Sequence, residues 1–90
     1  MRTVHKYPIL PNATRGIEAM TGPVLLAGHD NRGEACVWIE GDPEMPMRRR
    51  IFGVFGTGYQ IPDGAGHCGS WIEAPYVWHV YEMRWSTPGE

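Results

Sequence analysis

The stretch Phe55-Gly-Thr-Gly-Tyr-Gln-Ile-Pro-Asp-Gly-Ala-Gly66 combines flexible backbone with a nearby run of positive charge, Arg48-Arg49-Arg50. Two readings are open. Backbone amides around Gly56, Thr57 and Gly58, the Thr57 hydroxyl and an arginine from the preceding segment, Arg48 or Arg50, would hold an anion such as a nucleotide-like ligand, with Tyr59 as an aromatic lid. The structural alternative is a long turn, because glycine accepts positive φ and proline presets a bend. A P-loop is excluded, since the Gly-Lys-Ser/Thr ending and a following helix are both missing.

His5, His29, His67, His79, Cys36 and Cys68 are the remaining residues with metal or nucleophilic chemistry. Structural zinc sites use close pairs such as Cys-x-x-Cys or His-x-x-x-His, and no such pair occurs, so no metal or cofactor is expected. His67 and Cys68 are adjacent and on a strand would point to opposite faces. A Cys68 nucleophile would need His79 or His29 brought to it by the fold, together with an oxyanion donor, so an enzyme is not the expected role. His79 lies among large residues, which suggests a hydrogen-bonded core group.

The formal charge of -2 gives no global field for nucleic acid or an anionic membrane. Alternation divides the three arginines between two faces, so they read as solvated strand charges that guard an edge. No apolar run approaches the length of a membrane span, and the N-terminus has no signal-like segment; the expected location is cytoplasmic. Two cysteines do not make a disulfide framework.

These residues must be positioned by strands. Ninety residues suit one domain over 1–90, and 42% hydrophobic content suffices for a core. Residues 2–10 read as an edge strand, because Pro8 cannot donate to a ladder. Residues 11–22 read as a loop with a brief extended piece. Two apolar runs around Asp30-Asn31-Arg32-Gly33 predict a hairpin, with Cys36, Trp38 and Glu40 on one face of its second arm and Ala35, Val37 and Ile39 on the other.

Another strand follows at Met47–Gly56, with Phe52 and Phe55 on opposite faces unless Gly53 introduces a bulge. Two more strands are expected near 67–74 and 76–85, reversing at Ala74-Pro75, the last of them central because both of its stripes carry bulk. The tail 85–90 is polar and expected to fray. The predicted fold is mostly β, a small twisted antiparallel sheet or partial barrel of about five to six strands with little helix.

His5-Lys-Tyr-Pro-Ile9, Ala35-Cys-Val-Trp-Ile-Glu-Gly-Asp-Pro43, Phe55-Gly-Thr-Gly-Tyr-Gln-Ile-Pro-Asp63 and Trp78-His-Val-Tyr-Glu82 together resemble an uncharacterised family of small phage-encoded proteins. That family carries a Gly-Thr-Gly-x-x-Ile-Pro segment and a terminal His-Val-aromatic-Glu strand. Its pattern often has histidine after Gly-Thr-Gly, where this chain has Tyr59. The resemblance spans nearly the whole chain and implies a phage origin, hence the cytoplasm of a host. The expected function is a non-enzymatic accessory protein that self-associates and binds a host protein, with Trp71, Trp78, Tyr81 and Trp85 as the interface. The alternative is the nucleotide-like binder built on Arg48, Arg50, Gly56, Thr57, Gly58 and Tyr59.

Overall fold

A computed structural model describes residues 1–9 and 14–83, with the side chains of Thr14 and Arg15 not described. Seven strands follow one another: β1 (Thr3–Pro8), β2 (Thr14–Ala19), β3 (Val24–His29), β4 (Ala35–Gly41), β5 (Arg48–Gly56), β6 (Gly66–Glu73) and β7 (Tyr76–Glu82). They form two antiparallel sheets, of order β1-β4-β3 and β2-β5-β7-β6, and the described residues contain no helix. The mostly β expectation is met, as two sheets and not a closed barrel. The strand beyond the expected five to six is β2, which the turn formers around it disguise. It is fixed by pairing along β5, from Thr14 opposite Gly53 to Ala19 opposite Arg48. Trp85 and the tail 85–90 lie outside the described residues.

The β3–β4 hairpin turns where its sequence demands. Gly33 takes a φ of 83°, a conformation that costs glycine nothing. Asp30 organises the reversal: its Oδ1 accepts the Arg32 and Glu34 amides, both at 2.9 Å. Its Oδ2 accepts the Lys6 ammonium of β1 at 2.9 Å, so one carboxylate joins the turn to a neighbouring strand. Along β4, Ala35, Val37 and Ile39 point inward and enter the core, as alternation predicts. β1 is an edge strand, as Pro8 requires.

The core lies between the sheets. Ala35, Val37 and Ile39 of β4 meet Phe52 and Val54 of β5 and Val80 of β7. No register shift interrupts β5, so Phe52 is buried and Phe55 faces the other way, its ring folded over Gly53. At one side β3 and β6 approach so closely that a Cβ on Gly69 would stand 3.0 Å from the Ala27 Cβ and 3.3 Å from its backbone nitrogen. Only glycine fits there without displacing β3.

Arg50 ties the second sheet to the connection between β2 and β3. Its Nε and Nη2 donate to the two carboxylate oxygens of Glu82, each at 2.8 Å. Its Nη1 donates to the Met20 and Gly22 carbonyls, each at 2.7 Å, and the guanidinium sits 5.7 Å from the centre of the Phe52 ring. The Arg50 side chain is only 10% exposed, so this fork is held in a largely desolvated place.

Two outcomes are expected. Arg50→Met strands Glu82 and two carbonyl groups and should cost about 3 kcal/mol in urea unfolding; a loss below about 1 kcal/mol would show that the clamp is dispensable. The Lys6 ammonium, followed by the Glu34 and Arg32 amides, holds the Asp30 carboxyl well below the usual range. A carboxyl lowered on folding stabilises above its unfolded value of about 4 and loses that contribution as pH falls through its folded value. Asp30→Asn should therefore lower Tm at pH 7, and this gap to the parent should close as both are acidified.

Candidate functional site

β6 and β7 form a hairpin whose reversal at Ala74-Pro75 sets the register, so Trp71 pairs with Trp78 and Ser70 with His79. A register shift between His67 and Gly69 brings His67 opposite Tyr81. Side chains of β7 then divide between the faces: Trp78 and Val80 turn toward the core, while His79 and Tyr81 share the outer face with Phe55.

On that outer face a chain of hydrogen bonds crosses three elements. His67 Nε2 and Ser70 Oγ are 2.8 Å apart, Ser70 Oγ and His79 Nδ1 are 2.8 Å apart, and His79 Nε2 and Thr57 Oγ1 are 2.9 Å apart. The Tyr81 ring closes on His67 at 5.2 Å between centres, edge to face. His79 is therefore hydrogen-bonded as expected, but it sits half-exposed on the sheet surface and outside the core. Among the described residues no carboxylate takes part in this chain. The sense of each bond is set by the histidine protons. When His79 Nδ1–H donates to Ser70, its Nε2 accepts from Thr57; an imidazolium donates from both nitrogens and Thr57 must accept.

Thr57 opens the turn after β5 and also lines a cleft at the start of β7. Gly58 takes a φ of 95°, and the Tyr59 amide donates to the Gly56 carbonyl at 3.1 Å. This tight turn carries Tyr59 over to Tyr76 and Trp78, whose rings lie 5.5 Å apart with their planes 31° from parallel. Gly56, Thr57, Pro75, Val77 and the three aromatic residues line a cleft of about 740 Å³, within the range of small-ligand pockets. Among the described residues no charged side chain lines this cleft.

The structure thus brings Gly56, Thr57 and Tyr59 to one cleft, with Gly58 shaping the turn. Arg48 and Arg50 are not among them. They stand at the opposite end of β5, six or more residues from Gly56, a distance of about 20 Å along an extended strand. There they flank a separate, polar groove of about 460 Å³ with His67 and Cys68, and four of the five N–H groups of Arg50 are already donated to Glu82, Met20 and Gly22. Trp71 and Trp78 are half-buried against the core, with the Trp71 Nε1–H donating to Glu73 at 3.3 Å, and Tyr81 lies on the outer face.

Cys68 is not activated. Burial first, then the nearby Glu82 charge, pushes its thiol up to about 11, and its Sγ lies 3.6 Å from the Gly66 carbonyl and not beside an imidazole. Among the described residues no group of three His, Cys, Asp or Glu side chains could hold a metal ion.

A family model described as a domain of unknown function, DUF7352, matches residues 1–89. The chain belongs to the DUF7352 family. No curated protein and no solved structure matches it. For this DUF7352 chain the site therefore rests on geometry.

Sequence reasoning missed Ser70, Pro75 and Tyr76. The signal for Ser70 and Tyr76 was in the hairpin itself, because a two-residue reversal at Ala74-Pro75 sets Ser70 opposite His79 and Tyr76 opposite Glu73. Thr57→Val removes one hydroxyl at constant shape and should cost no more than about 1 kcal/mol. The same change should alter the His79 ring nitrogen chemical shifts; unchanged shifts would mean that the Thr57–His79 bond does not form in solution.

Proposed function

We propose that this chain is a phage accessory protein without enzymatic activity, acting in the host cytoplasm by binding a host protein through the cleft of Tyr59, Tyr76 and Trp78. The observation that carries the reading is an aromatic, uncharged cleft with two strongly exposed rings, Tyr59 at 68% and Tyr76 at 58% exposure. Large rings with polar tips dominate the energetics of protein interfaces because they bring much apolar area at small entropic cost. Self-association belongs to the same reading, supported by the exposed Val4 of β1 and Leu25 and Leu26 of β3.

A nucleotide-like anion has less support. Phosphate recognition wants a cation or a set of converging amides. Here the Tyr59 amide is taken by Gly56, and the arginines lie at the other end of β5.

Host extract passed over the immobilised chain should yield a protein that, once purified, rebinds it. The Tyr59→Ala/Tyr76→Ala variant, its fold checked by circular dichroism, should bind that protein about tenfold or more weakly. Unchanged affinity in the variant would reject the cleft as the interface. A purified protein that carries a small molecule in the cleft and captures no host protein would overturn the reading.

A further inference from the structure

Resting on the protein-binding reading, we infer that the segment of the partner seated in this cleft is an uncharged, proline-rich stretch in the polyproline II conformation. The argument is a match of polarity and shape. Tyr59 and Tyr76 end in hydroxyls and Trp78 in an N–H, and among the described residues none of these three groups has a hydrogen-bond partner. The Thr57 hydroxyl at the rim is committed to His79. An indole N–H can only donate, and a phenol donates readily, so the residues that line the cleft carry donors beside their aromatic faces.

A proline-rich segment is the complementary object. Polyproline II has no internal hydrogen bonds and leaves its carbonyl groups free to accept. Each proline replaces an N–H, which would need an acceptor, with an apolar ring. One turn covers about 9 Å with three residues, short enough for a cleft built from one turn and the start of one strand. Tyr76 and Trp78, tilted only 31° from parallel on alternate residues of β7, present adjacent ridges on which proline rings can pack. The stiffness of such a segment also means that little chain entropy is lost on docking.

Other occupants fit less well. Strand addition needs a free sheet edge of several residues, whereas β7 is paired with β6 along its length and with β5 as far as Trp78, which leaves only Tyr76 and Val77 open on one side. An amphipathic helix needs an elongated groove with several turns of apolar contact, whereas the aromatic surface here is confined to three rings. A charged peptide or a nucleotide would bring charge to a lining in which the described residues have none to answer it.

The test is a titration of the full-length, ¹⁵N-labelled chain with a blocked ten-residue peptide of alternating alanine and proline. A blocked alanine–serine peptide of the same length and adenosine monophosphate serve as comparisons. Saturable shifts are expected at the Trp78 indole N–H and the Tyr59 and Tyr76 amides with the proline peptide only. Tyr76→Ala and, separately, Tyr59→Ala should weaken binding about tenfold. Met45→Ser, at an exposed position in the β4–β5 connection and outside the cleft lining, should leave it unchanged.

No saturable response at millimolar peptide, an equal response to the alanine–serine peptide, or shifts mapped elsewhere would overturn the inference. Each of these would leave the protein-binding reading standing if the host protein is still lost from the Tyr59→Ala/Tyr76→Ala variant. Adenosine monophosphate bound in the cleft would overturn both.

Discussion

The Arg50–Glu82 fork is the interaction on which the second sheet depends. A guanidinium presents a planar set of donors that matches a carboxylate in two bonds, and here the remaining nitrogen reaches two carbonyls of the β2–β3 connection. One side chain therefore registers β5 against β7 and anchors the chain as it passes from the second sheet to the first. Such a pair stabilises only when its hydrogen bonds are complete, because desolvating either charge alone is costly. The structure meets this condition: among the described residues, no buried polar side-chain atom is left without a partner.

That anchoring gives β5 two unlike ends. Its first half is charged and clamped, and its middle buries Phe52 and Val54 in the core. Its last residue, Gly56, leads into a turn that a positive-φ glycine lets fold back toward β7. The same strand thus separates a rigid polar junction from an aromatic cleft. Between them the outer face of the sheet carries the chain from His67 through Ser70 and His79 to Thr57. Its final hydroxyl sits at the rim of the cleft, so the hydrogen-bonded chain on the outer face ends where the aromatic cleft begins.

Much of this frame was legible in the sequence because its signals are local. Pro8 marked an edge strand, the Asp30–Gly33 turn marked a hairpin, and alternation along residues 35–39 sorted the two faces of β4 correctly. β2 was not legible. Thr14–Ala19 has a glycine in its middle and charges around it, and it becomes a strand only because β5 offers a partner of six residues. His79 was misplaced for a related reason. Bulky neighbours on both sides suggested burial, but Trp78 and Val80 alone turn inward, and the pleat carries His79 out between them.

The candidate site shows why proximity in sequence is a weak guide to proximity in space. Arginines and glycines separated by a few residues look like one anion cradle, yet an extended strand places its ends as far apart as its length allows, about 3.3 Å for each residue. A helix over the same interval would have brought Arg50 much closer to Gly56, at 1.5 Å per residue. Once β5 is a strand, its charge and its flexible turn must serve different purposes. The partners of the turn come instead from residues 75–78, far away in sequence and adjacent only through the β5–β7 pairing of Gly56 with Trp78. That pairing sets aromatic rings beside the turn where the sequence suggested cations, which is the basis for proposing a segment of a protein there and not an anion.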